Sequence, residues 1–328
     1  MAIQNPQSTP QVRPENGEKR PANIKDYSIV LAENEFMAVK EDFSIPRPGL
    51  WPSEASVKYK DQYGDVVHGQ CLRAAFYRAM DYPRDGCREP GLEMKGDLGK
   101  RAEAGCIDRW KSMGIWVQNN VKFYNHDLVV SGELDAIVKH EKPGEVKARI
   151  GVEVKSFYGY YANSEICGKK RPPVPGKPKM DHFLQALNYK NKYQDVLDQY
   201  RLYYLERGDG HRVEFEVGLE GKQPFWRQIE GPYWGHYIPG PVYTPFKLED
   251  MENRYKELLN FIRTKTLPPR DFEAVYSDEQ VEIQWARGEI GKTNYEKWKK
   301  NKAANKLGYW RCSYCNYAKT CKNDSIGE

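Results

Sequence analysis

Two alternating stretches between residues 128 and 156 constrain the fold of this 328-residue chain most strongly. In the first, the apolar residues at 134, 136 and 138 alternate with Glu133 and Asp135. In the second, the sequence GVEVKS at 151–156 repeats the same period of two, which is typical of a half-buried β-strand. Because a Pro-Gly pair at 143–144 lies between them, the sequence predicts an antiparallel hairpin.

Pairing of these strands would place Asp135, Glu153 and Lys155 on one surface. Carboxylates are the hard oxygen ligands that Mg²⁺ prefers, and a water on such an ion can attack phosphorus. The three residues therefore predict a site for metal-dependent phosphodiester hydrolysis. The alternative is a solvated strand face, on which Glu153 and Lys155 form only a weak ion pair.

Asp135, followed one hairpin later by Glu153-Val154-Lys155, resembles the motif of the PD-(D/E)XK nuclease superfamily. The resemblance implies that Asp135, Glu153 and the carbonyl of Val154 bind Mg²⁺ or Mn²⁺. It also implies that Lys155 orients or activates the attacking water. The fold expected from it is an α/β, restriction-endonuclease-like core with a mixed central sheet flanked by helices.

Gln185 and Tyr189 narrow the resemblance to the RecB-like branch, because they match its Gln-x-x-x-Tyr signature. Both lie in a predicted helix over 181–200, where they share one stripe with His182 and Lys192. This spacing favours a polar stripe that faces the metal and contacts the scissile phosphate or nearby bases. The alternative is a structural amide and a tyrosine at the edge of the core.

In RecB-like nucleases a helix before the hairpin supplies a further metal ligand, which is often His. The amphipathic stretch 97–116 is predicted to be that helix, and the matching position is Glu103. A carboxylate is a harder ligand for Mg²⁺ than imidazole, so this departure is chemically sensible. The alternative is a surface Glu103, in which case Glu93 and Glu133 are the substitute ligands.

Residues 158–179 are predicted to be a long loop that leaves the catalytic strand, because prolines and glycines interrupt them. The segment interleaves tyrosines with cations, a combination that suits single-stranded nucleic acid: bases stack on aromatic rings and phosphates pair with Lys and Arg. The alternative is a solvated insertion. The predicted nucleic-acid contacts here are Tyr158, Tyr160, Lys169, Lys170 and Arg171.

The C-terminus carries Cys312-x-x-Cys315 followed by Cys321, and three close cysteines need a fourth ligand. Four thiolates suit Zn²⁺ or an iron–sulfur cluster. One group of RecB-like nucleases, which includes CRISPR adaptation nucleases and the AddB nuclease domain, holds a 4Fe–4S cluster with one earlier cysteine and this spacing. The resemblance implies Cys71 as the fourth ligand, in a clasp formed by 71 and 310–322. A ligand set that uses Cys87 remains open.

Composition sets the remaining expectations. The net charge of +5 is compatible with a nucleic-acid partner but too small to argue for one alone. No apolar run approaches a membrane span, and the cysteine spacing favours a reducing cytoplasm. Residues 1–25 are predicted to be a disordered leader. Residues 26–328 are predicted to be a single RecB-like nuclease domain, with its catalytic core at about 94–220.

The sequence thus predicts a Mg²⁺- or Mn²⁺-dependent deoxyribonuclease. The expected activity is exonucleolytic, on single-stranded DNA or DNA ends, in recombination, repair or CRISPR or phage DNA processing. No phosphate-loop motif of a helicase is present, so a free-standing nuclease is expected. The alternatives are a DNA-end-binding module and an adaptor subunit of a recombination or CRISPR complex, with the N-terminal leader and residues 271–304 as places for a protein partner.

Overall fold

The computed structural model of the protein describes Val30 and residues 49–85, 90–141, 147–233, 235–236 and 239–324. The predicted leader at 1–25, the turn at 143–144 and Cys87 lie outside the described residues. The strands are β1 (Ser56–Asp61), β2 (Gly64–Gly69), β3 (Trp116–Asn125), β4 (Val130–His140), β5 (Ala148–Phe157), β6 (Gln199–Glu206), β7 (Arg212–Glu220), β8 (Gln223–Glu230) and β9 (Val242–Tyr243). The helices are α1 (Leu72–Ala79), α2 (Pro90–Ser112), α3 (Tyr160–Ile166), α4 (Met180–Lys192), α5 (Leu248–Thr264), α6 (Asp278–Ala286), α7 (Lys292–Lys300) and α8 (Ala318–Asn323).

The predicted α/β class, with a mixed sheet flanked by helices, is confirmed. Strands β3 to β9 form one seven-stranded sheet in sequence order, and β1 and β2 form a separate hairpin. Within the large sheet β5 and β6 are parallel, whereas the other neighbouring pairs are antiparallel. A parallel pair needs a crossover connection, and the segment that contains α3 and α4 supplies it.

Helices cover both faces of the central strands. Strand β6 shows why, because its apolar side chains alternate between two cores. Tyr200, Leu202 and Tyr204 are buried in the larger core, to which α1, α4 and α5 contribute. Tyr203 and Leu205 pack on a smaller core that α2 forms on the opposite face with β4 and β5. The hairpin of β4 and β5 predicted from the sequence is therefore held between α2 and α4.

Several local predictions need correction. The predicted loop at 158–179 contains helix α3, because the sequence YYANSEI at 160–166 has no proline or glycine and Gly159, with φ of 104°, turns the chain just before it. The helix predicted to reach residue 200 ends at Lys192, and β6 begins at Gln199. None of the described helices is both long and apolar enough to cross a membrane.

Candidate active site

A cleft opens where β4 and β5 separate. The two strands pair from His140–Ala148 to Ala136–Val152, and the ladder ends there. Beyond it, Asp135 Oδ2 accepts a hydrogen bond of 2.7 Å from the N–H of Val154. The carboxylate thus takes the place of the backbone carbonyl that would accept this bond in a continued ladder. The resulting cleft has a volume of about 600 Å³. Its lining includes the predicted residues Glu103, Asp135, Glu153, Lys155, Gln185 and Tyr189.

Glu153 is the most buried charged group of this cleft, with 1% of its surface exposed. Its Oε1 accepts hydrogen bonds from Lys155 Nζ at 2.7 Å and from Gln185 Nε2 at 2.6 Å. Its Oε2 is buried and has no hydrogen-bond partner. A buried carboxylate oxygen without a donor costs free energy, which a bound cation would recover.

Burial disfavours ionisation of Glu103, Asp135 and Glu153, the three carboxyl groups of the cleft. Burial is the main cause that raises the pKa of Asp135 and of Glu103, and the charge of Glu153 adds to both shifts. Burial also raises the pKa of Glu153, against the effect of Lys155. Burial alone would lower the pKa of Lys155, but Glu153 and Asp135 outweigh it, so the pKa of this lysine is raised and it stays cationic. A divalent cation would favour the ionised form of all three carboxyls.

Helix α2 brings Glu103 to the cleft. Lys100, Glu103 and Lys111 lie three and eight residues apart, so they share one face, and all three line the cleft. Glu133, one of the two substitute ligands, also lines it and accepts a hydrogen bond from Asn120. The side chain of Glu93 lies outside the described residues.

Gln185 and Tyr189 hold the site together from α4. Gln185 bonds the Glu153 carboxylate, and the buried Tyr189 hydroxyl donates to the carbonyl of Glu133 at 2.8 Å. A Cβ at Gly132 would lie 2.6 Å from Pro52 Cγ and 3.1 Å from the Tyr189 hydroxyl oxygen. Glycine at this position therefore allows Pro52 and the Tyr189 hydroxyl to lie close to the backbone of β4.

The predicted nucleic-acid contacts are spread more widely. His182 Nδ1 lies 2.9 Å from the Tyr204 hydroxyl, and burial, helped by the charge of Lys155, lowers the pKa of His182 to about 3, so its ring is neutral. Lys192 is exposed at the other end of α4. Tyr158 and Tyr160 are 72% and 80% exposed. The three cations at 169–171 are exposed on a turn closed by a bridge between residues 169 and 174.

The three C-terminal cysteines lie close together, on a 3₁₀ helix (Trp310–Tyr314), at its end and on α8. Burial raises the pKa of Cys312 to about 11, and the neighbouring Cys315 and Cys321 add to this shift. A buried thiol of this kind gives up its proton when a metal cation replaces it.

Cys71 lies at the start of α1, beside the segment that also contacts Cys321. Burial raises its pKa to about 12, and the charge of Asp271 adds to the shift. Asp271 Oδ2 accepts from the N–H of Leu72 at 2.7 Å, and Arg270 Nη2 donates to the carbonyl of Cys321 at 3.0 Å. The two parts of the predicted clasp thus bind adjacent residues of one segment.

Neither predicted metal site is already arranged for binding. Within the described ranges, no three His, Cys, Asp or Glu side chains form a group that could hold a metal ion as they stand. In the cleft, Val154 and Lys155 bind oxygens that a metal would otherwise use. The donor chemistry nevertheless fits, because hard carboxylates suit Mg²⁺ or Mn²⁺ and four cysteines suit iron–sulfur or Zn²⁺.

The cleft also contains residues that the sequence did not single out. Asn119 and Asn120 line it from β3, and Trp51 and Ser53 line it from a 3₁₀ turn at Pro52–Glu54. Asn120 has a φ of 55°, a left-handed conformation that Asn tolerates better than most residues. An Asn-Asn pair inside a strand pattern is the signal that could have identified this position.

Comparison with known proteins gives no family for this chain. No protein-family model matches it, and no curated protein matches it significantly. The function is therefore argued from the geometry of the cleft and from the motif resemblance.

Proposed function

We propose that this protein is a Mg²⁺- or Mn²⁺-dependent deoxyribonuclease of the RecB-like type, which degrades single-stranded DNA or DNA ends in the cytoplasm. The observation that carries the proposal is the buried, unpartnered Oε2 of Glu153 in a cleft shared with Asp135 and Lys155. Glu103 reaches the same cleft from α2. Hard ligands and a lysine at one cleft are the parts that phosphodiester hydrolysis needs.

Asp135, Glu153, the Val154 carbonyl and Glu103 would hold the ion. When bound, the ion supplies an activated water and stabilises the charge that develops on the phosphate. Lys155 carries its positive charge beside Glu153 and Asp135, where it orients the attacking water and hydrogen-bonds a phosphate oxygen.

Gln185 keeps Oε1 of Glu153 occupied, so Oε2 is the ligand atom that stays available. Tyr189 fixes β4 through the Glu133 carbonyl. Gln185 and Tyr189 are therefore positioning residues in this proposal, and their contact with the scissile phosphate remains a prediction from the motif.

The exposed tyrosines after β5 support a single-stranded substrate. Tyr158 and Tyr160 present ring faces to solvent close to the end of the catalytic strand, where bases can stack on them. Lys169, Lys170 and Arg171 add cations for the backbone. Two residues of α4 add to these contacts. Lys192 supplies a further cation for the backbone, and His182 supplies a neutral ring.

The four cysteines Cys71, Cys312, Cys315 and Cys321 would hold a 4Fe–4S cluster, with structural Zn²⁺ as the alternative. Such a centre would tie the C-terminal segment to α1 and contribute folding free energy. Support comes from the proximity of the three C-terminal thiols and from the segment around Asp271 that both parts contact.

The proposal is tested by digesting labelled single- and double-stranded DNA with Mg²⁺, with Mn²⁺ and with EDTA. The wild-type protein should cut only with metal. Asp135→Ala and Lys155→Ala should each lower the rate by about a thousandfold or more, because each removes a group that acts on the reacting phosphate. Lys139→Ala is the matched control, since this lysine of β4 pairs with Glu141 outside the cleft.

The second candidate function is a DNA-end-binding or adaptor subunit with little activity of its own. The observation that favours it is the ion pair of 2.7 Å between Lys155 and Glu153, which occupies a carboxylate oxygen of the cleft. The same assay separates the two functions. Tight DNA binding without cleavage under any metal condition would favour the binding subunit.

A further inference from the structure

A strongly basic surface lies on α7 and the residues that follow it. The sequence KTNYEKWKKNKAANK at 292–306 contains six lysines and one glutamate, which gives a net charge of +5. This equals the formal net charge of the whole chain. The remaining residues are therefore neutral overall, and the excess positive charge of the protein is concentrated in one short segment outside the candidate cleft.

Most of this charge is not neutralised. Two of the lysines form ion pairs, Lys292 with Glu296 at 3.8 Å and Lys302 with Asp278 at 2.8 Å. Among the residues that the structure describes, the other four have no carboxylate within ion-pair distance, and all four are exposed. These four, which we call the lysine surface, are Lys297, Lys299, Lys300 and Lys306.

The lysine surface is fixed to the fold. On the inner side of α7, Tyr295 and Trp298 pack with Val281 of α6 in a small core. Arg287, at the end of α6, then donates to both carboxylate oxygens of Asp61 in β1, at 2.8 and 2.9 Å. The lysines thus project from a packed helical pair that is tied to the β1–β2 hairpin.

The chemistry of this surface favours phosphates over a protein or a lipid partner. In the described structure, no bulky apolar side chain of α6 or α7 is exposed, and the exposed Val275 and Trp310 lie on the segments before and after this helical pair. Protein interfaces need buried apolar or aromatic anchors and are depleted in lysine, and helices that bind membrane surfaces need an apolar face. A phosphate backbone requires only cations at its surface.

The same helical pair borders a second groove, of about 830 Å³. Gln284 and Ile290 line this groove from the helical pair, and His182 lines it from the first turn of α4. Gln185, one turn further along α4, lines the candidate cleft. Helix α4 therefore contributes one residue to the groove beside the helical pair and another, one turn away, to the candidate cleft.

We propose that the lysine surface binds the phosphate backbone of the DNA strand outside the cleft, without reading its sequence. This inference rests on the proposed function, because the substrate of the nuclease supplies the phosphates. The surface increases affinity for long DNA and takes no part in the chemical step.

The test measures DNA binding of the full-length protein by fluorescence anisotropy in EDTA over a range of salt concentrations. The probe is a labelled single-stranded oligonucleotide long enough to extend beyond the cleft. Lys297→Gln/Lys300→Gln removes two lysines that have no described ion pair. It should reduce the slope of log affinity against log salt by about 1.4, because each phosphate contact on a single strand contributes about 0.7.

Two matched variants make the test specific. Lys256→Gln/Lys265→Gln removes the same charge from α5 and its end, and should leave the slope near that of the wild type. Lys297→Arg/Lys300→Arg keeps the charge and should keep the slope. A slope that both glutamine pairs reduce equally would overturn the proposal, because it would reflect net charge alone.

Other outcomes overturn the proposal in distinguishable ways. If the wild-type protein cuts DNA but Lys297→Gln/Lys300→Gln leaves the slope unchanged, the lysine surface is not a phosphate site and the proposed nuclease stands. If the wild-type protein neither binds nor cuts DNA, both proposals fail. If the glutamine pair weakens binding only to vesicles of phosphatidylserine and phosphatidylcholine, the surface binds lipid.

Discussion

The candidate cleft and the C-terminal cysteine segment lie on the same fold but are stabilised in opposite ways. In the cleft, Glu153 keeps a buried oxygen without a donor, and burial, with the charge of Glu153 added, raises the pKa of Asp135. In the C-terminal segment, by contrast, polar groups form hydrogen bonds with the rest of the fold. Asp85 accepts from the N–H of Lys319 at 2.5 Å and from the hydroxyl of Thr320 at 2.7 Å.

This difference is the one expected between a candidate ligand site, which is the cleft, and a segment that stabilises the fold, which is the C-terminal segment. Unfavourable polar interactions persist in a fold mainly where a ligand or a reaction uses them. The C-terminal segment instead docks through ordinary hydrogen bonds, and the Tyr77 hydroxyl adds another, of 2.8 Å, to Asp324. Changes in the cleft should therefore lower activity while keeping or slightly raising the free energy of unfolding, whereas changes in the C-terminal segment should lower the free energy of unfolding.

The largest expected effect on stability comes from Cys312→Ser. If a metal centre is present, loss of one thiolate should lower the free energy of unfolding by more than about 3 kcal/mol, since structural metal sites contribute far more than this. Thermal unfolding, together with the absorption spectrum and the metal content of anaerobically purified protein, provides the measurement. The buried Cys106 lies outside the motif, so Cys106→Ala should keep the metal. A colourless, metal-free wild-type protein would contradict the clasp.

Asp85→Ala should have an intermediate effect, a loss of about 2 kcal/mol, because it removes several hydrogen bonds to an ionised acceptor. Burial alone would raise the pKa of Asp85, but the bonds from Thr320 and Lys319 hold it below its ordinary value. A depressed carboxyl pKa stabilises the fold above the unfolded-state pKa, and this contribution is lost as the pH falls through the folded-state pKa.

Chemical denaturation at neutral and at acidic pH measures the effect of Asp85→Ala. The difference from the wild type should shrink at acidic pH. Asp195→Ala, an exposed aspartate after α4, is the control and should change little. Equal stability of Asp85→Ala and the wild type at neutral pH would show that the segment is held by something else.

Asp135→Asn should have the smallest effect on the free energy of unfolding and the opposite sign, a small gain in metal-free protein at neutral pH. Because the pKa of Asp135 is raised on folding, the folded state binds more protons than the unfolded state at pH values between the unfolded-state and folded-state pKa. The free energy of unfolding therefore falls as the pH rises between these two values. Asparagine removes this cost and keeps an oxygen for the N–H of Val154.

Thermal unfolding in EDTA measures the effect of Asp135→Asn. The gain should disappear at acidic pH, where Asp135 is protonated in the wild type. Added Mg²⁺ should stabilise the wild type more than the variant, because only a binding-competent folded state gains from the ligand. Lower stability of Asp135→Asn than of the wild type at neutral pH would show that the cleft carries no such electrostatic cost.

The sequence was most informative where one physical rule dominates. Period-two alternation predicted β4 and β5, because apolar residues at every second position, such as Val152 and Val154, pack together in one core. The alternation also placed Glu153 and Lys155 on one face of β5. It could not show that the ladder ends at Ala136–Val152, since this separation depends on packing by α2 and α4.

Other elements were missed because their signals are local and weak. In the β1–β2 hairpin only β1 alternates, over Val57–Lys60, and so short a run does not predict a strand by itself. Helices α6 and α7 bury only three residues in a core of their own, and a polar, charged segment of this kind reads as a loop. The docking of Asp85 on α8 joins residues 234 or 235 positions apart, a contact that no local pattern reveals.

Mn²⁺ binding, measured by electron paramagnetic resonance on the wild type, on Glu153→Gln and on Lys155→Ala, tests the proposed metal site. In this site Oε2 of Glu153 is a metal ligand and Lys155 is not. Wild type and Lys155→Ala should therefore bind Mn²⁺, whereas Glu153→Gln should lose most of this binding. Equal Mn²⁺ binding by the wild type and Glu153→Gln, or none by the wild type, would contradict the proposed site.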